Sequence, residues 1–89
     1  MSSESITIIN SDMTKEMKAD AIECAKAWIA KCRTEKEMAI FIKRYFDHTY
    51  EPAWNCVVGK NFGSFVSHKP TKHIFFYIGE KGIMIFQTD

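Results

Sequence analysis

The spacing of hydrophobic positions changes twice along the chain. Ile6 to Ile9 is a short, β-branched apolar run closed by Asn10-Ser11-Asp12, which predicts a first strand and a turn. Apolar residues then recur at helical spacing, with Met17, Ala21, Cys24, Ala25, Trp28 and Cys32 on one face. Lys15, Lys18, Glu23, Lys26 and Arg33 lie mostly elsewhere. Thr14 is the expected N-cap, Glu16 suits the positive end of the helix dipole, and Trp28 is the expected main anchor. A second helix starts at Thr34-Glu35-Lys36-Glu37, which has the form of a capping box: Thr34 caps, and Glu37 reaches back to the Thr34 N–H. Met38, Phe41, Ile42, Tyr45 and Phe46 make its apolar stripe, and Asp47, His48 and Pro52 mark its end. The short join between the helices predicts an antiparallel pair.

Beyond Pro52 the pattern is strand throughout, over 53–58, 62–68, 73–78 and 82–87. Gly59-Lys60-Asn61 punctuates the first two, and Gly79-Glu80-Lys81-Gly82 predicts a tight hairpin between the last two. The expected order is β-α-α-β-β-β-β: one α+β domain over residues 1–89, with two antiparallel helices on an antiparallel sheet. In 62–68, Phe62, Ser64, Val66 and His68 alternate with Gly63, Phe65 and Ser67, so small residues sit beside large rings on both sides. Gly63 and Ser64 would let another backbone approach closely, which suggests an edge strand that something else pairs with. On the final hairpin Ile74, Phe76, Ile78, Ile83 and Ile85 alternate with Phe75, Tyr77, Met84 and Phe86, so both faces are apolar. Two helices cover one face of a sheet. The other face would be a large exposed patch on a monomer, and a second copy related by a twofold axis is the economical cover.

Composition narrows the functional classes. Eighty-nine residues hold one core, and 46% hydrophobic content with 13% aromatic fits a globular fold. A net charge of +1 lacks the basic surplus that nucleic acid or an anionic membrane selects. The apolar runs are too short to span a bilayer, and Met-Ser-Ser-Glu-Ser has neither the basic start nor the apolar stretch of a secretory signal. Cys24, Cys32 and Cys56 are odd in number and irregularly spaced, as expected of reduced cytosolic thiols.

Candidate chemistry is thin. Cys56 with His48, His68 or His73 could be drawn as a nucleophile and base, but no elbow, oxyanion motif or orienting acid accompanies them. A buried structural cysteine is the expected role. Metal binding fails on spacing, because there is no CxxC to complete a site with His68 and His73. Gly59 to Gly63 lacks the sequence of a phosphate loop. Glu35 and Lys36 are either ordinary solvated charges or flank a pocket where the first-turn N–H groups of the second helix seek an acceptor.

The run Tyr50-Glu51-Pro52-Ala53-Trp54-Asn55-Cys56-Val57-Val58-Gly59-Lys60-Asn61-Phe62-Gly63-Ser64-Phe65-Val66 resembles the signature of the eight-kilodalton light chains of cytoplasmic dynein. The resemblance extends over the whole chain, through Asn10, Asp12-Met13, Glu23-Cys24-Ala25, Glu35-Lys36, Ile42-Lys43, Phe46-Asp47 and Phe76-Tyr77. It implies a non-catalytic, strand-swapped homodimer without cofactor or metal. The strand matching 62–68 would cross to the other subunit and pair with the strand matching 54–58. The implied dimer contacts are Trp54, Asn55, Cys56, Val57, Val58, Lys60, Asn61, Phe62, Ser64 and Val66. Two interface grooves would each take an extended partner segment, often of a Thr-Gln-Thr kind, as an added strand. The implied groove residues are Asn61, Phe62, Gly63, Ser64, Phe65, Val66, Ser67 and His68, with Glu35 and Lys36 near the partner's glutamine and Asn10, Asp12, Phe75, Tyr77 and Met84 lining the groove.

The chain departs from the family pattern in places. Asn55 stands where a histidine is usual, Phe65 and Phe75 where tyrosines are common, Ser67 for threonine and Ile9 for lysine, and His73 and Lys69-Pro70-Thr71 differ from the usual loop. The resemblance therefore implies a divergent light chain of the cytoplasmic dynein motor, located in the cytoplasm and on the microtubule cytoskeleton. It would act as an adaptor hub whose partners are itself, dynein intermediate chain and other proteins with Thr-Gln-Thr-like motifs. Neither nucleic-acid binding nor membrane insertion is expected. The alternative is the same dimer serving a lineage-specific partner with no dynein role.

Overall fold

Two threonines start the helices. The structure, a computed structural model, describes residues 5–60 and 72–87. Thr14 Oγ1 accepts the Met17 N–H at 3.2 Å and opens α1 (Lys15–Lys31). Thr34 Oγ1 accepts the Glu37 N–H at 3.1 Å and opens α2 (Glu35–Thr49). Each hydroxyl satisfies one of the donors that a helix start leaves without a partner. The capping box differs from expectation in one bond: Glu37 Oε1 accepts from Arg33 N–H at 3.2 Å, one residue before the cap.

The four described strands are β1 (Ile6–Ser11), β2 (Trp54–Lys60), β3 (His73–Ile78) and β4 (Lys81–Gln87). They form one antiparallel sheet in the order β1-β3-β4-β2. The expected strand at 62–68 lies outside the described residues. Strand boundaries differ from expectation. β1 continues through Asn10 and Ser11, past a bulge between Ile8 and Asn10, where a turn was expected. β2 runs on through Gly59 and Lys60, because these pair with Gly82 and Lys81. The β3–β4 turn therefore tightens to Gly79-Glu80, with Ile78 opposite Lys81. Gly79 takes φ 62°, the left-handed region that a two-residue hairpin turn favours and a side chain would resist.

The core lies between the helices and one sheet face. Met17, Ala21, Cys24 and Ala25 of α1 and Ile42 and Phe46 of α2 pack with Trp54, Ile74, Phe76, Ile78, Ile83 and Ile85. Trp28 is not the main anchor. It is half-buried and stacks on Phe41 at 4.5 Å and 13°, with the Lys31 ammonium over its ring at 5.5 Å, so it joins the two helices beside the core. The central tryptophan is Trp54, 1% exposed, with Phe46 at 4.9 Å and Tyr50 at 6.1 Å between ring centroids.

A polar clasp closes the same end. Asp20 of α1 accepts from the Tyr45 hydroxyl at 2.8 Å and the Tyr50 hydroxyl at 2.6 Å. The bond to Asp20 raises the Tyr45 pKa, while burial and then the same carboxylate raise that of Tyr50. Asp47 ties α2 to β2 by accepting the Trp54 N–H at 2.8 Å and a bond from Lys43. Partial burial opposes its ionisation, but those two donors outweigh burial and hold its carboxyl below the usual aspartate value.

Candidate partner-binding face

Strand register sorts the predicted site residues. Paired residues in an antiparallel ladder share a face and successive residues alternate, so the core face collects Trp54, Cys56 and Val58 with Ile83, Ile85, Ile74, Phe76 and Ile78. The opposite face carries three rows across the sheet. His73, Phe86 and Asn55 make the first; Asn10, Phe75, Met84 and Val57 the second; Thr7, Tyr77, Gly82 and Gly59 the third. Both helices pack on the other side. On this outer face Val57 is 43% exposed, Phe75, Tyr77 and Phe86 are half-buried, and Met84 is 6% exposed between its neighbours. Phe75 and Tyr77 support one another at 5.6 Å between ring centroids.

Asn10, Phe75 and Met84, three of the predicted groove residues, thus stand in one row, with Tyr77 in the next. Asp12 sits at the end of β1, where its Oδ1 accepts the His73 N–H at 2.8 Å and lies 3.2 Å from His73 Nδ1. Asp12 N–H in turn donates to the His73 carbonyl at 3.1 Å. This pairing spans most of the chain, and no local pattern in the sequence announces it.

Glu35 and Lys36 lie apart from the outer face, in the first turn of α2. Lys81 Nζ reaches Glu35 Oε2 at 3.3 Å and ties the start of the helix to the β3–β4 turn. Lys81 is opposite Lys60, so the end of β2 borders the same corner. The role of Lys81 was missed because it was assigned to the turn rather than the strand. Ile29, Lys60, Ile78, Gly79, Glu80 and Lys81 line a depression of 330 Å³ at this corner.

The predicted dimer contacts divide by face. Asn55 and Val57 lie on the outer face, whereas the side chains of Trp54, Cys56 and Val58 face the protomer core, Trp54 fully buried and the other two half-buried. Among the described residues β2 pairs with β4 alone and forms an edge of the sheet. Residues Asn61, Phe62, Gly63, Ser64, Phe65, Val66, Ser67 and His68 lie outside the described residues.

The thiols are set against nucleophilic use. Burial raises the Cys24 pKa to about 12, with the Asp20 charge adding to it, and burial also pushes the Cys56 thiol up. A thiolate nucleophile needs the opposite shift. Among the described residues no three His, Cys, Asp or Glu side chains gather as a metal site. No described helix is long and apolar enough to cross a membrane.

Two helices on one face of an antiparallel sheet whose other face is apolar define a small α+β domain with a sheet face left uncovered among the described residues. The structure superposes on the dynein light chain-like domain of the Fasciola hepatica calcium binding protein FhCaBP2 with a TM-score of 0.85, covering 97% of this chain and 93% of that one at 24% identity. The DLC-like domain of CsTAL3 superposes with a TM-score of 0.80 at 16% identity, covering 93% and 92%. At these identities the likeness establishes the fold. The family model described as dynein light chain type 1 matches residues 5–88, and the chain belongs to that family.

Proposed function

We propose that the chain is a non-catalytic, homodimeric dynein light chain and adaptor hub that takes extended partner segments as an added β-strand. The observation that carries this reading is the outer face of the sheet. Phe75, Tyr77, Met84, Phe86 and Val57 gather opposite the helices, beside β2, which among the described residues is an edge of the sheet. In the proposed dimer, strand 62–68 of one subunit pairs along β2 of the other and presents its own free edge to the partner segment. Asn61, Phe62, Gly63, Ser64, Phe65, Val66, Ser67 and His68 form that strand. Glu35 and Lys36 stand at the corner where β2 ends, placed to meet a polar side chain of the guest at the α2 start. Backbone hydrogen bonds supply sequence-tolerant affinity, and side-chain pockets supply selectivity. Two grooves on a twofold dimer hold two copies of a partner chain, so the second engagement gains from effective concentration. Dynein intermediate chain is the first proposed partner, with cytoplasmic, microtubule-associated location following from it.

A Thr-Gln-Thr peptide titrated into the protein by calorimetry is expected to bind once per subunit. Gly63→Val is expected to weaken binding by at least about tenfold, because a side chain there obstructs the added strand. Absence of heat with the unaltered protein, or undiminished binding by the variant, would overturn the groove. Phe65, Phe75 and Ile9 favour a second reading in which the same groove serves a lineage-specific partner. A peptide array probed with the dimer separates the two by whether Thr-Gln-Thr sequences or others are retained.

A further inference from the structure

Among the described residues the opposite border of the sheet is β1, paired with β3 on its inner side. The segment Ser5-Ile6-Thr7-Ile8-Ile9-Asn10-Ser11 carries no charge and no proline. Ile6, Ile8 and Ile9 are 36%, 44% and 54% exposed. Edge strands are ordinarily guarded by lysine, proline or inward-pointing charge. Here the one irregularity is the bulge between Ile8 and Asn10, which sets Ile9 beside Ile8. Ile6 and Ile8 stand opposite Ile78 and Phe76 and so share their face, at its rim.

The backbone fixes which groups look outward. Gly79 N–H donates to the Ser5 carbonyl at 2.9 Å. Hydrogen-bonded and non-hydrogen-bonded pairs alternate in an antiparallel ladder, so Ser5 and Thr7 turn their polar groups toward β3. Ile6 and Ile8 direct theirs away from the sheet.

We propose that β1 is a second self-association surface, where two copies of this chain pair antiparallel about a twofold axis through Thr7. Ile6 of each copy then lies opposite Ile8 of the other, and the outward N–H and C=O groups of both residues are exchanged twice across the axis. The isoleucine pairs meet on one face and the two threonines on the other. A slip of one residue would set outward groups against inward ones, and a slip of two would break one of the two isoleucine pairs. An uncharged strand also meets its own copy without like-charge repulsion. The contact is far smaller than the roughly 1,600 Å² of a standard interface, so it forms only at high protein concentration. It uses the outward backbone edge of β1 around Thr7 rather than the outer sheet face, where Asn10 belongs to the proposed groove; a groove dimer would carry one such edge on each subunit and string into longer assemblies.

The register makes one cysteine variant diagnostic. Thr7→Cys places two thiols across the axis, whereas Asn10→Cys places them roughly 20 Å apart at the rise of an antiparallel strand, beyond the about 7 Å that a disulfide bridges between Cα atoms. Under mild oxidation of the concentrated full chain, with the unsubstituted protein as background, T7C is expected to form covalent pairs at least about tenfold faster than N10C. Adding Ile8→Lys to T7C should remove that advantage while the circular dichroism spectrum stays unchanged. Equal rates for T7C and N10C would overturn the proposal, including the case where β1 receives a strand from another protein. So would an undiminished rate with I8K. If I8K does not fold, the T7C and N10C comparison decides alone.

Discussion

Replacing Trp54 by alanine is expected to cost about 3–5 kcal/mol of folding stability, read as a lower urea midpoint. The side chain is 1% exposed and packs against Phe46 and Tyr50 at the point where α2 meets β2. Its removal leaves a cavity in the only core among the described residues. A domain of this length holds about 5–10 kcal/mol in total, so the variant loses a large part of it. Trp54→Phe should cost less than half as much. The indole Nε1 is buried and finds no hydrogen-bond partner, so truncating it to a phenyl ring forfeits volume but no bond. Equal losses for the two variants would mean that the indole nitrogen matters in a way the packing does not explain.

Asp20→Ala is the second large effect, expected at about 2 kcal/mol, because two tyrosine hydroxyls lose a charged acceptor together. The clasp joins the middle of α1 to the end of α2, so its loss should loosen the packing of the helix pair. It also sets a pH dependence. The folded-state pKa values of Tyr45 and Tyr50 are raised, so their contribution is whole below the unfolded tyrosine value of about 10 and is lost as pH rises through the folded values. Stability followed by urea unfolding from pH 8 to pH 11 should fall at the alkaline end in the native protein and fall less in D20A. Parallel profiles would contradict the clasp.

Local chemistry made much of this fold readable. Thr14 and Thr34 cap the helices because short hydroxyl side chains reach first-turn N–H groups, and that depends on a few neighbouring residues alone. The alternation from His73 to Ile78 likewise announced a core face and an apolar second face. What stayed hidden depends on pairing across the chain. Gly59 and Lys60 read as a turn, yet they complete a strand because Gly82 and Lys81 lie opposite. Trp28 and Trp54 are equally apolar in sequence, and only the docking of β2 under α2 decides which is buried. The role of Asp20 depends on two tyrosines 25 and 30 residues away, which no local pattern links to it. The candidate site followed the same division. Strand register brings Asn10, Phe75 and Met84 into one row, while the Asp12–His73 and Glu35–Lys81 contacts needed the sheet to be assembled first.

The central claim is that the outer sheet face is covered by a second copy of the chain. Sedimentation of the unaltered protein at low concentration, where the β1 contact does not form, tests it most directly. The account predicts the mass of two chains. A stable single chain, folded and monomeric across that range, would contradict it.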